Sequence, residues 1–191
     1  MRKIPTVFVR DHDTHKLTDQ VEPGCEWVLA GEGQPTRKYD GTSVMLDAEG
    51  RWWARREVKA GKAMPFEYLI SERDEVTGNI TGWEPIENSP WAKQFRDALE
   101  HDESLWEEIV VLEGANSDVG TYELFGPKIN GNPEKREVHS LIRHEDCDLL
   151  FYAPHEDIRD VVREFHRRFG YEGIVWHHPD GRMAKLKARD L

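Results

Sequence analysis

Apolar and polar positions alternate with a period of two in two places along this chain. Ser43-Val44-Met45-Leu46 runs into the turn Asp47-Ala48-Glu49-Gly50 and returns as Arg51-Trp52-Trp53-Ala54-Arg55-Arg56-Glu57-Val58. That pattern predicts a β-hairpin. Gly173-Ile174-Val175-Trp176 predicts a second, through Pro179-Asp180-Gly181 to Arg182-Met183-Ala184-Lys185-Leu186-Lys187. Alternation puts Lys185 and Lys187 on one face, with Ala184 and Leu186 on the other. Two lysines side by side on a strand repel each other, and a shared anionic partner is the natural explanation.

Helical spacing appears twice. Ser89-Pro90 reads as an N-cap followed by proline at the first helical position, and Trp91, Phe95 and Leu99 recur through about Leu105. From Glu156 to Phe169 the residues Ile158, Val161, Val162, Phe165 and Phe169 share one face, and Gly170 supplies the stop. Short strands are expected at Thr6–Val9, 109–113, 120–125 (with the acid Glu123 inside it) and Leu149–Tyr152. Residues 59–88, rich in Gly, Pro and charge, are expected to form a long loop facing a substrate. The spacing of His12, Asp13 and His15 resembles a metal site but lacks a third clear ligand, so a solvated turn is the simpler reading.

Composition narrows the class. A chain of 191 residues with 38% hydrophobic content and 7 Trp, 7 Phe and 5 Tyr has enough material for one ordinary globular domain, taken here as residues 1–191. No run approaches the length of a membrane span, and Met1-Arg2-Lys3-Ile4-Pro5 lacks a signal-peptide core. Two cysteines give neither a disulfide framework nor a zinc pattern, and a reducing cytoplasm is expected. The net charge of -11 argues against a nucleic-acid enzyme until its distribution is considered. Residues 67–118 hold 14 acids and 3 bases, whereas residues 34–62 hold 7 bases against 4 acids and residues 158–191 hold 8 against 5. Local binding of a polyanion remains compatible with that pattern.

Chemistry concentrates at Lys38-Tyr39-Asp40-Gly41. A lysine, one spacer, an acid and a glycine have the form of a nucleotidyl-transfer motif with the lysine as nucleophile. Free lysine titrates near 10.4, so only about one in a thousand is neutral at pH 7. Nearby cations that lower this value by two or three units recover about 3–4 kcal/mol of barrier. Each further candidate has a bland reading when taken singly. Glu172 before Gly173 is a turn residue, Glu123 a strand acid, Phe151 a core ring, and Lys185 with Lys187 a solubilising edge.

In order, the residues resemble the covalent nucleotidyltransferases. Lys38-Tyr39-Asp40-Gly41 resembles motif I, Tyr122-Glu123-Leu124 with Gly126 motif III, and Leu149-Leu150-Phe151-Tyr152 motif IIIa. Glu172-Gly173-Ile174-Val175 resembles motif IV and Lys185-Leu186-Lys187 motif V. Trp53-Ala54-Arg55 and Gly126-Pro127-Lys128-Ile129-Asn130-Gly131-Asn132-Pro133 look closest to compact ATP-dependent 5′-to-3′ RNA ligases of the RNA ligase 1 type. The resemblance implies an α+β nucleotidyltransferase (ATP-grasp-like) adenylation domain, with antiparallel sheets flanking an ATP cleft and no OB-fold domain. It implies joining of RNA 5′-phosphate and 3′-hydroxyl ends through a lysyl-AMP intermediate and an adenylated RNA 5′ end, with ATP and Mg²⁺ or Mn²⁺.

On the same resemblance, Lys38 is the nucleophile, and Lys185 and Lys187 grip the α-phosphate. Asp40 and Gly41 shape the turn after the nucleophile. Glu123 and Glu172 hold the metal or the ribose. Arg55 contacts the ribose or the acceptor 5′-phosphate, with Arg56 as the adjacent candidate, since strand alternation sends the two to opposite faces. Phe151 or Tyr152 stacks on adenine. Lys59, Lys62 and Lys128 are candidates for orienting pyrophosphate, and His139, His144, His177 and His178 for touching RNA phosphates. The other readings are an adenylyltransferase acting on DNA ends or another acceptor, and a non-catalytic RNA-end binding module. Neither a membrane partner nor an oligomeric state is indicated.

Overall fold

The computed structural model describes residues 3–11, 13–101, 119–153 and 156–191. These fold as mixed α and β structure with few helices and antiparallel strand pairing within every sheet. The chain divides into two compact units. One takes in the described residues of Gly41–Asp146, and the other those of Lys3–Asp40 with Cys147–Leu191. No helix among the described residues is long and apolar enough to cross a membrane.

The Gly41–Asp146 unit contains the strands β4 (Thr42–Leu46), β5 (Trp52–Val58), β6 (Leu69–Arg73), β7 (Ile80–Pro85), β8 (Gly120–Phe125) and β9 (Ser140–Arg143). They form one sheet in the order β6-β7-β5-β4-β8-β9. Its apolar face carries Val44, Leu46, Ala54, Tyr122, Leu124 and Leu141 against Phe95 and Ala98 of helix α2 (Ala92–His101). The first expected hairpin is there as β4 and β5, with Val44 opposite Ala54. Glu123 lies in β8 as expected and is 8% exposed.

The remaining unit contains β1 (Phe8–Arg10), β2 (Leu17–Val21), the short helix α1 (Glu26–Leu29), β3 (Gln34–Lys38), helix α3 (Ile158–Phe169), β10 (Gly173–His177) and β11 (Met183–Lys187). β1 pairs with β2, and β11-β10-β3 make a three-stranded sheet. Ile174, Trp176, Ala184 and Leu186 of that sheet are fully buried and pack in one cluster with Val161 and Val162 of α3 and Trp27 and Val28 of α1. The amphipathic helix and second hairpin expected from the sequence are both present. Asp157 caps α3 by accepting from the Arg159 N–H, and Gly170 ends it in the left-handed conformation at φ 74°.

Two expectations fail. Residues 59–88 are not one loop, because β6 and β7 form there and pair antiparallel, with Leu69 opposite Trp83. Leu149–Tyr152 is not a strand; it makes one bridge, Leu149 to Thr36, at the free edge of β3. Tyr152 turns inward instead, its hydroxyl accepting from Trp176 Nε1 at 2.7 Å. The expected helix is described from Ala92 to His101, with the Ser89 hydroxyl accepting from the Trp91 N–H. The rest of that helix and the expected strand at 109–113 lie outside the described residues.

The end of β3 is held from the face opposite Lys38. Arg37 lies between two rings, its guanidinium carbon 4.0 Å from the centre of Tyr39 and 4.2 Å from that of Tyr171. The Tyr39 hydroxyl donates to Asp148 Oδ2 at 2.9 Å, and Arg37 Nη1 approaches the same oxygen at 3.4 Å. Burial, and then the bond to Asp148, pushes the Tyr39 phenol up to about 12. A raised phenol favours the folded state fully below its ordinary value near 10, and that contribution is lost as pH rises through about 12. Ultraviolet difference titration of wild type against Tyr39→Phe is expected to reveal one tyrosine ionising near 12. Ionisation near 10 instead refutes the burial of the phenol together with its bond to Asp148.

Gly173 offers a second check on packing. A Cβ built there falls 2.1 Å from the Leu186 carbonyl oxygen, a backbone atom with no free space behind it. Gly173→Ala is therefore expected to cost about 3 kcal/mol, the upper part of the range for overpacking, and to lower Tm by roughly 6–12 °C. An unchanged melting temperature by calorimetry refutes that register.

Candidate active site

The three-stranded sheet aligns Lys38, Gly173 and Lys187 in one rank across β3, β10 and β11. Residues opposite one another in antiparallel strands share a face, so both lysines project to the same side. With strands about 4.8 Å apart, the lysine Cα atoms stand roughly 10 Å from each other. Glu172, one residue ahead of the central glycine, fills that gap. Its Oε1 accepts from Lys187 Nζ at 2.5 Å, and its Oε2 lies 2.5 Å from Lys38 Nζ.

Each carboxylate oxygen thus serves one ammonium group, Oε1 that of Lys187 and Oε2 that of Lys38. The Glu172 side chain is only 6% exposed and the lysines 17% each. Burial pushes the Glu172 carboxyl up, but the Lys38 charge and the Lys187 hydrogen bond outweigh it and hold the group below the ordinary carboxylate range. Lys185 stands two residues along on the same face, its rank completed by Val175 and Thr36. Three lysines and one carboxylate leave this face cationic, which suits phosphate. Asp40 lies half-buried just beyond β3.

In the other unit, one sheet face gathers polar groups. Gly41 N–H donates to Glu123 Oε1 at 3.0 Å. Oε2 of the same carboxylate is met by His144 Nε2 at 3.0 Å and by the Ser43 hydroxyl at 3.4 Å. Gly41 has no room for a side chain, since a Cβ would fall 2.2 Å from the Leu124 carbonyl oxygen and 3.0 Å from Glu123 Cγ. Its own carbonyl accepts from Asn130 Nδ2 at 2.8 Å.

The paired arginines separate as alternation requires. Arg56 points to the apolar face, where it pairs at 2.6 Å with Glu84, itself 2% exposed. Arg55 takes the Glu123 face. Burial lowers its pKa against the pull of Glu72 and Glu123. Of the two arginines, Arg55 therefore shares a face with Glu123. Phe151 is 85% exposed while Tyr152 packs inward, so Phe151 offers the free ring.

The histidines have partners within the chain. His139 is buried against Pro127 and Asp97, His178 pairs with Glu32 and Asp180, and His177 Nε2 lies 3.1 Å from the Thr36 hydroxyl. The sequence reading missed His144 as a partner of Glu123 and Asn130 as a tie on the Lys-x-Asp-Gly turn. The Asn130-Gly131 dipeptide is a signal for a turn residue with positive φ, and Asn130 has φ 47°. Nothing in the sequence marks His144 as a partner of Glu123.

Carboxylates are the donors a hard cation takes, and Glu172 is a nearly buried carboxylate whose two oxygens are met, among the described residues, by lysines alone. A nucleotide and its divalent metal thus fit the residue types present: lysines for phosphate, Glu172 for metal or ribose. No group of three or more metal-ligating side chains stands together among the described residues.

No protein-family model matches the chain. Among proteins of known identity, it is similar to RNA ligase 1 of Pongo abelii, 29% identical over 139 residues. The match takes in 61% of this chain and 42% of that relative, so the chain spans less than half the relative's length.

Proposed function

We propose that this chain is an ATP-dependent RNA ligase of the nucleotidyltransferase class, which joins RNA 5′-phosphate and 3′-hydroxyl ends. The observation that carries this reading is the Lys38–Glu172–Lys187 bridge across Gly173. A motif lysine, a second lysine and a buried carboxylate meet there from three separated stretches of sequence. The similarity to a protein named RNA ligase 1 supports it.

In the proposed first step the neutral Lys38 amine attacks the α-phosphorus of ATP. A nitrogen–phosphorus bond forms, the bond to pyrophosphate breaks, and AMP stays on Lys38. An ammonium has no lone pair, so Lys38 must give up its proton to solvent before attack. Glu172 at 2.5 Å holds the amine in place, and cations on the bound nucleotide would offset the pull of that carboxylate on the proton. Lys185 and Lys187 offset charge on the phosphate, which is where most catalysis of phosphoryl transfer arises. AMP then passes to the RNA 5′-phosphate, and the RNA 3′-hydroxyl attacks that phosphorus and expels AMP. A Mg²⁺ or Mn²⁺ ion would neutralise phosphate charge, and Glu172 and Glu123 are each assigned to the metal or the ribose. Asp40 and Gly41 shape the turn, Arg55 is assigned to the ribose or acceptor 5′-phosphate, and Phe151 to adenine.

Intact mass spectrometry after incubation with ATP and Mg²⁺ tests the first step. One added AMP is expected on wild type and none on Lys38→Ala. An unmodified wild type, or an adduct that survives Lys38→Ala, refutes the assignment. Glu172→Gln is expected to slow adduct formation by about 10²-fold or more. Presenting the adenylated protein with 5′-phosphorylated RNA, or DNA of the same sequence, then checks the acceptor. Sealing of RNA alone is the expected result, while transfer to DNA alone, or to neither, overturns RNA ligation.

A further inference from the structure

The Glu123 carboxylate is held by a chain of groups that ends at Thr121. His144 Nε2 lies 3.0 Å from Glu123 Oε2, and His144 Nδ1 lies 2.8 Å from the Thr121 hydroxyl oxygen. A carboxylate only accepts, so Nε2 must carry the hydrogen in this contact. Neutral imidazole then has Nδ1 as its acceptor, and the threonine hydroxyl donates to it. Thr121 thereby selects the tautomer that His144 needs in order to hold Glu123.

The supports come from different elements. Thr121 and Glu123 alternate onto one face of β8, Ser43 stands opposite Glu123 on β4, and His144 opens the short 3₁₀ turn after β9. Ring and carboxylate are both substantially covered, at 25% and 10% side-chain exposure. Each carboxylate oxygen offers about two acceptor directions. On Oε2 these go to His144 and Ser43, and on Oε1 one goes to the Gly41 N–H. By that count one acceptor direction is left among the described residues, on Oε1, the oxygen that meets the Gly41 N–H, with the Arg55 guanidinium attracted to the same carboxylate.

We propose that His144 is a positioning residue that fixes Glu123 so that Oε1 presents a single acceptor to the bound nucleotide. The inference rests on the ligase reading above, since it gives Glu123 a nucleotide to contact. His144 itself touches no substrate and acts only through Glu123. A ring that merely filled space would be replaced by any group of similar volume, whereas this role needs a donor at the Nε2 position.

Two readouts test it, namely affinity for a non-hydrolysable ATP analogue with Mg²⁺ by calorimetry and the rate of AMP adduct formation. His144→Ala is expected to weaken binding about tenfold and to slow the adduct. His144→Gln, whose amide reaches the same place, should return binding to within about threefold of wild type. Thr121→Val should fall between them, because the ring loses its tautomer selector and keeps its volume. In a double-mutant cycle, His144→Ala added to Glu123→Ala should cost nothing further. Additive losses, or a His144→Phe variant that binds as well as wild type, overturn the proposal. Should His144→Ala fail to fold, His144→Gln and Thr121→Val carry the same comparison. A wild type that takes no AMP sinks the ligase reading and this inference together; one that takes AMP regardless of residue 144 sinks this inference alone.

Discussion

One carboxylate shared by two lysines organises one end of the β11-β10-β3 sheet. Glu172 joins Lys38 to Lys187 beside Gly173, where a Cβ would strike the Leu186 carbonyl. A buried carboxylate beside two cations is tolerable because each charge offsets the desolvation of the others, and removing one partner strands the rest. The arrangement follows from strand register. Lys38, Gly173 and Lys187 are opposite one another, so a slip of one residue would send one lysine into the cluster of Ile174, Trp176 and Leu186. The burial of those apolar residues is thus what fixes the direction of the charged ones.

A parallel constraint operates around Glu123. There too a carboxylate depends on a neighbouring glycine, Gly41, whose missing side chain lets its N–H reach Oε1. Both glycines were visible in the sequence as parts of motifs, but the motifs alone give no reason for them. The reason is steric and local: at Gly41 the obstacle is the Leu124 carbonyl, and at Gly173 the Leu186 carbonyl. Each carbonyl belongs to the adjacent strand, so the glycines mark points where the backbone passes closest to its neighbour.

Much of this was legible from residue order. The hairpins β4–β5 and β10–β11 and the helix α3 carry strong periodicity, because one face of each is buried and the other is not. β6 and β7 escaped notice because their pattern is broken. β7 contains Gly82 and Pro85, both read as strand breakers, and β6 exposes Leu69 and Ile70 at the sheet edge while carrying Glu72 and Arg73. Gly82 is required there, since the Leu69 carbonyl would stand 2.2 Å from a Cβ. Leu149–Tyr152 misled in the opposite sense. Four consecutive apolar residues read as a strand, yet they split between the edge of β3, solvent and the core. His144 was beyond sequence reading because its partners, Thr121 and Glu123, lie more than twenty residues away and are selected by the β8–β9 register alone.

Lys38 and Lys187 have a choice of anion, and that choice bears on how selective this face is. Glu172 supplies one negative charge, fixed in place by the chain, and its two oxygens already reach both ammonium groups. An arriving monoanion therefore gains little by displacing it, because it brings no more charge and must give up translational freedom as well. A polyphosphate brings several charges and several oxygens on one molecule, and it leaves the carboxylate free for a ribose hydroxyl or a cation. Lys185, in the next rank on the same face, extends the advantage to ligands long enough to reach it. The internal bridge thus sets a threshold of charge and length for any anion that is to displace Glu172 from both ammonium groups.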